Sequence, residues 1–259
     1  MLEFYKYHGA GNDFILLHDP DKTFDTRPNY IYQLCHRRLG IGADGLILIH
    51  SHHRENIDFE MRYFNADGYE GSMCGNGGRC ALAFAKKMQI IADEGVFIGI
   101  DGAHYGKIIS EKENLAEVSL QMKNVENIGN FEDGFFLDTG SPHVVKFVEN
   151  IKNIDVITEG KRIRHHPHFP KGTNVNFVEI NDNYLFVRTF ERGVEDETLS
   201  CGTGVTASSL SYSMKKNINT VNVKTLGGEF NVSFQKENNS FKNIFLQGPT
   251  CFVFKGFLE

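Results

Sequence analysis

The sequence predicts an α+β protein of many antiparallel strands and few helices, built as two similar halves. Three observations lead there. Short apolar runs of strand length, bounded by turn residues, recur along the whole chain. Only four stretches keep a helical period. The two clearest of these each begin at a cysteine, in Met73-Cys74-Gly75-Asn76-Gly77 and in Ser200-Cys201-Gly202-Thr203-Gly204, 127 positions apart.

In chain order, strands are expected at 3–7 and 14–18, separated by the polar turn Gly9-Ala10-Gly11-Asn12-Asp13, then at 45–50, 59–64, 96–100 and 116–120. A second set follows at 144–148, 173–179, 185–190, 220–225, 229–234 and 243–248. The helical stretches are 31–39, 78–88, 155–162 and 205–216. Other pieces recur near the offset of the cysteines. Gly9-Ala10-Gly11-Asn12-Asp13-Phe14 corresponds to Asp138-Thr139-Gly140-Ser141-Pro142-His143, and Tyr63-Phe64-Asn65 to Thr189-Phe190-Glu191. Such recurrence predicts a duplicated unit: an N-terminal half, 1–120, carrying Cys74, and a C-terminal half, 121–248, carrying Cys201.

The bulk composition narrows the function. Of 259 residues 41% are apolar, 22 of them Phe, enough for a sizeable core. A net charge of −6 with no run of Lys or Arg argues against a nucleic-acid partner and for a small molecule. No stretch approaches the roughly 18 to 20 apolar residues that span a bilayer, and the first 19 residues lack the pattern of a signal peptide. Five irregularly spaced cysteines make a poor disulfide framework and suit a reducing, cytoplasmic setting, where a special cysteine is a working thiol.

A cysteine at the first turn of a helix lies beside free N–H groups and the positive end of the helix dipole, both of which favour a thiolate. Cys74 and Cys201 are therefore expected to serve as bases. The glycines that follow let a ligand reach the backbone, so the amides of Gly75, Asn76, Gly202 and Thr203 are candidates for binding an α-carboxylate. Inverting a stereocentre requires a base on one face and an acid on the other, and two thiols from two halves supply both without a cofactor such as PLP. Cys35, Cys80 and Cys251 are expected to be packing residues, and no metal site is expected. His50, His52, His53, His165, His166 and His168 have polar neighbours and are expected on solvated loops. His143 sits in the second half's version of the Asn12 turn, and Glu191 with Arg192 precedes Cys201, where they are placed to hold an ammonium and a carboxylate.

Over nearly its full length the chain resembles the diaminopimelate epimerase family. The likeness is carried by Lys6-Tyr7-His8-Gly9-Ala10-Gly11-Asn12-Asp13-Phe14, Gly40-Ile41-Gly42-Ala43-Asp44-Gly45, Tyr63-Phe64-Asn65-Ala66-Asp67-Gly68, Met73-Cys74-Gly75-Asn76-Gly77-Gly78-Arg79-Cys80, Gly172-Thr173-Asn174-Val175-Asn176 and Phe190-Glu191-Arg192-Gly193. The resemblance implies two pseudo-symmetric halves, each a curved, mostly antiparallel sheet around a central helix, with a final strand at 249–259 returning to the first half. It implies Cys74 and Cys201 as the acid/base pair, His143 and Glu191 as supporting catalysis, and Asn12, Asn65, Asn174, Glu191 and Arg192 as substrate contacts beside Gly75, Asn76, Gly202 and Thr203. It implies diaminopimelate as substrate, no cofactor, and a homodimer. Three positions depart from the family's commonest pattern: Ser141 stands for Asn, Gly45 for Gln, and Phe254 for a tyrosine of some members' dimer contact. The alternatives are a proline or hydroxyproline racemase of the same two-thiol fold, which typically carries His where this chain has Asn76; a cysteine hydrolase using Cys74 with His143, which leaves Cys201 unexplained; and a non-catalytic binding module.

Overall fold

The computed structural model describes residues 2–258. Met1 and Glu259, the outer ends of the expected first half and final strand, lie outside the described residues. The chain divides into two compact units, one formed by 1–120 with 248–259 and one by 121–247.

In the first unit, β1 (Leu2–Gly9) and β2 (Asn12–His18) form a hairpin. Its turn residues Ala10 and Gly11 both have positive φ, 50° and 87°, the turn whose twist matches two antiparallel strands. After α1 (Pro28–Cys35), β3 (Gly45–His50) pairs parallel to β2 and antiparallel to β4 (Phe59–Asn65). After α2 (Gly75–Lys87), β5 (Glu94–Gly99) pairs parallel to β4, and β6 (Gly102–Lys112) and β7 (Leu115–Gln121) continue antiparallel. The last strand, β16 (Ser240–Leu258), pairs from Gly248 onward first with β7 and then with β1, so these strands close on themselves without an open edge.

Two-sided burial explains why the central strands are nearly pure apolar. Ile15, Leu17, Leu46 and Leu48 pack against Ile31, Leu34 and Cys35 of α1. Their alternates point to the opposite face, where Ile47 meets Gly77 of α2. Helix α2 is buried from Gly75 to Ala85, so it fills the ring as a core helix.

The second unit repeats the pattern with β8 (Gly129–Phe131), β9 (Gly134–Asp138), β10 (Pro142–Phe147), α3 (Val156–Arg164), β11 (Asn174–Ile180), β12 (Leu185–Glu191), the short β13 (Asp196–Thr198), α4 (Gly202–Lys215), β14 (Thr220–Lys224) and β15 (Glu229–Glu237). From β10 the pairings run parallel, antiparallel, parallel, antiparallel to β15, as they do from β2 to β6. The register repeats too: Phe14 lies opposite Gly45, and His143 opposite Asn174. Helix α4 is buried from Gly202 to Ser211 despite its hydroxyls. Thr206, Ser208 and Ser209 donate to the carbonyls four residues back at 2.8–2.9 Å, which satisfies them inside the core.

Several expectations need correcting. Strands β6, β8, β9 and β13 were not anticipated; β6 is largely exposed and holds two glycines, so its neighbours rather than its own pattern make it a strand. Helix α1 runs Pro28–Cys35, starting on a proline at its first turn, and Leu39 lies beyond it with 87% exposure. His50 is on no solvated loop: it ends β3, is 1% exposed, and its Nε2 lies 3.2 Å from Asp19 Oδ2. His53, His165 and His168 are exposed.

Candidate active site

Cys74 is the residue that caps α2, and the Gly77 N–H donates to its Sγ at 3.5 Å. On its other side the sulfur lies 3.5 Å from Asn12 Oδ1 at the start of β2. Asn76, 1% exposed, donates from Nδ2 to the same oxygen at 3.3 Å and accepts from Arg79 Nη2 at 2.8 Å. Asn12 in turn donates from Nδ2 to Asp44 Oδ2 at 2.7 Å. A guanidinium only donates and a carboxylate only accepts, so both amides are held in one orientation, with Asn12 Oδ1 facing the thiol.

Behind Asn12 lies an ionic cluster that the sequence alone did not reveal. Asp13 meets Lys6 at 2.6 Å and Arg37 at 2.7 Å, Arg37 meets Asp44 at 2.5 Å, and Lys6 also donates to the Gly42 carbonyl. Burial pushes the Asp13 carboxyl up, but the bonds from Arg37 and Lys6 outweigh it and bring it down to about 2. Asn65 ends β4 and is exposed; Gly45, opposite it, has no room for a side chain, because a Cβ there would fall 2.5 Å from the Tyr63 ring. The space beside Gly45 is filled by the Tyr63 ring.

In the second unit Cys201 caps α4, is 8% exposed, and accepts no capping amide. Its Sγ lies instead 3.3 Å from Thr203 Oγ1. Thr203 Oγ1 is 2.9 Å from His143 Nε2, and Ser141 Oγ is 2.9 Å from the same nitrogen. His143 is fully buried; burial first and the charge of Arg192 second hold its imidazole down to about 3, so it is neutral. Asn174 donates both amide protons, to Ser141 Oγ at 3.2 Å and the Pro142 carbonyl at 3.0 Å, and its Oδ1 accepts the Arg192 N–H at 2.9 Å. Ser141 therefore ties Asn174 to His143. Glu191 ends β12 and accepts from Thr198 Oγ1 at 2.9 Å, while the Arg192 guanidinium reaches the Lys171 carbonyl at 3.4 Å.

Of the other three thiols, Cys35 and Cys80 are buried among packed side chains and Cys251 is half-buried on β16. Burial raises Cys35 to about 12 and pushes Cys80 and Cys251 upward as well. Among the described residues no group of three or more His, Cys, Asp or Glu is placed to hold a metal, and no helix is long and apolar enough to cross a membrane. A surface cavity of about 730 Å³ beside His52, Arg54, Arg62 and Glu70 contains none of the candidate residues.

Solved structures share this architecture. A phenazine biosynthesis protein of the PhzF family from Bacillus anthracis superposes with a TM-score of 0.77 at 15% identity, covering 100% of this chain and 99% of the other. A hydroxyproline epimerase from Agrobacterium vitis, solved with trans-4-hydroxy-L-proline, gives 0.67 at 15% identity, covering 98% and 91%. At such identities the likeness is one of fold. Fold and site together define a protein of two similar α+β units, each with a cysteine at the start of its buried helix.

At the level of sequence, residues 4–126 and 135–253 match the family described as Diaminopimelate epimerase. The diaminopimelate epimerase of Flavobacterium psychrophilum is 48% identical over 259 residues, covering 98% of this chain and 99% of that protein, and the one from Chlorobaculum tepidum is 44% identical, covering 96% and 98%. The chain belongs to the diaminopimelate epimerase family.

Proposed function

We propose that this protein interconverts LL- and meso-2,6-diaminopimelate, with Cys74 and Cys201 as the two bases, in the synthesis of lysine and peptidoglycan precursors. The observation that carries the assignment is the equivalence of the two thiols: each caps the buried helix of its own unit, followed by Gly. One sulfur, as thiolate, takes the α-proton; the other, as thiol, delivers a proton to the opposite face, and the roles exchange in reverse. The charge that develops on the α-carbon spreads into the carboxylate, whose oxygens are bound by the amides of Gly75, Asn76, Gly202 and Thr203 at two helix starts. Protons alone move, so no cofactor is invoked. Asn12, Asn65, Asn174, Glu191 and Arg192 bind the remaining polar groups, and His143 and Glu191 support the chemistry. The proposed site lies in a cytoplasmic enzyme. Exposed Val253, Phe254 and Phe257 on β16 support a homodimer.

The test is incubation of reduced enzyme with LL-diaminopimelate, and separately with L-proline, in D₂O. Inversion with α-deuterium uptake in diaminopimelate alone is expected; turnover of proline would move the assignment to the proline racemases. Cys74→Ala and Cys201→Ala are each expected to abolish epimerisation, and full activity in either would refute the two-base assignment.

A further inference from the structure

Behind Cys201 lies a buried chain of hydrogen bonds whose direction can be worked out from one backbone carbonyl. Asn176, 0% exposed on β11, has its Nδ2 3.0 Å from the Val144 carbonyl, which only accepts. The amide is thus oriented with Nδ2 as donor, and its Oδ1 accepts from Thr189 Oγ1 at 3.0 Å. Nδ2 also lies 3.0 Å from His143 Nδ1, which must then accept. A neutral imidazole that accepts at Nδ1 carries its proton on Nε2.

From that nitrogen every proton is passed in one direction. The single Nε2–H is shared between Ser141 Oγ and Thr203 Oγ1, both at 2.9 Å, and neither hydroxyl can return a proton to that nitrogen. Ser141 Oγ already accepts from Asn174 at 3.2 Å, so with the imidazole N–H its lone pairs are filled, and its own proton goes to Thr203 Oγ1 at 3.2 Å. With Nε2 and Ser141 both acting as donors, the Thr203 hydroxyl proton is aimed at Cys201 Sγ, 3.3 Å away. The fit is tight: a Cβ on Gly204 would fall 2.3 Å from Asn176 Oδ1, so the glycine immediately after Thr203 makes room for the amide.

We infer that Asn176 is a positioning residue that fixes His143 in its Nε2–H form, and that Thr203 thereby donates a hydrogen bond to Cys201 and stabilises it as a thiolate. The inference rests on the role of Cys201 proposed above, and the charged group that reaches His143 is Arg192. In the absence of Asn176 the imidazole is free to carry its proton on Nδ1. Its Nε2 then accepts the hydroxyl proton that otherwise points at the sulfur.

Nitrogen-15 NMR of histidine-labelled wild-type enzyme at neutral pH reads the tautomer directly, without any variant. A His143 signal of the Nε2–H neutral form is expected; an Nδ1–H form or an imidazolium would overturn the inference. The second measurement is the rate of Cys201 alkylation by iodoacetamide, resolved by mass spectrometry. Thr203→Val is expected to slow it about 10- to 100-fold, the size of a lost hydrogen bond to a charged group, with Thr203→Ser restoring most of the rate. Asn176→Asp, which can accept but not donate, is expected to convert His143 to the Nδ1–H form and slow Cys201 in the same way. Unchanged Cys201 alkylation in Thr203→Val would sink the proposal. Neither readout requires turnover, so epimerisation surviving Cys201→Ala would defeat the two-thiol assignment separately.

Discussion

Asp44 shows how much of a site's geometry can depend on one side chain that anchors its neighbours. Its carboxylate holds the Asn12 amide, accepts the Asp13 N–H at 3.1 Å, and meets Arg37. Asp44→Ala is expected to leave the fold intact but let the Asn12 amide turn, removing the acceptor that faces Cys74. A loss of about 10- to 100-fold in kcat, of the order produced by small misplacements of a reacting group, with unchanged circular dichroism, is the expected result; undiminished kcat would show that Asn12 needs no such anchor. His143 makes a second prediction at this scale. Its folded value, about 3, is below its ordinary 6.5, so the unfolded chain binds the extra proton between these values. Its contribution to stability is therefore complete above pH 6.5 and is lost as pH falls toward 3. Denaturant titrations across that window should show a slope smaller by up to one proton in His143→Gln; identical slopes would contradict a buried neutral imidazole. The placement of Cys74 and Cys201 at helix starts was legible in the sequence because each is followed by Gly and then by a helical period. The parts played by Asp44 and Asn176 were not, since each acts through a partner more than thirty residues away that strand register alone supplies.

Among the elements, the two enclosed helices solve the same problem with different residues. Helix α2 uses Gly and Ala and buries one arginine, whose guanidinium turns back to the Gly75 carbonyl at 3.2 Å and to Asn76. In helix α4 Thr206, Ser208, Ser209 and Ser213 bond their own backbone and Thr203 turns to His143, whereas the Ser211 hydroxyl is buried and has no protein partner. An unsatisfied buried hydroxyl costs about 1–3 kcal/mol, so Ser211→Ala should raise stability by about 1 kcal/mol in denaturant unfolding, whereas Ser208→Ala, which gives up a bond made at 2.8 Å, should be near neutral. A destabilised Ser211→Ala would mean that the hydroxyl is satisfied in solution. Helix periods made all four helices readable, with ends displaced by a few residues. The longest of the four hidden strands was β6, whose Lys107, Glu111 and Lys112 face solvent while only His104, Gly106 and Ile108 are buried. Such a strand carries too little apolar alternation to announce itself.

For the whole molecule the decisive element is β16, a 19-residue strand that serves β15 over its first part and β7 and β1 over its second. The return of the last residues to the first half was expected from the family resemblance, because nothing in the pattern of 249–258 says which edges it joins; that information lies in edges created by β1 and β7 more than a hundred residues earlier. Removing 249–259 would leave β1 and β7 facing solvent with unpaired N–H and C=O groups, and would uncover Tyr5 and Tyr7, whose rings pack on Phe252 at 6.1 and 5.4 Å. The ring around α2 would then be open along one side. The truncated chain is accordingly expected to lose the first unit selectively: proteolysis should degrade 2–120 while a fragment near 121–247, whose strands keep all their partners, survives, and exposed edges should drive aggregation. A truncated protein that stays soluble, resists protease across 2–120 and epimerises at the full rate would show that the first unit closes without its last strand.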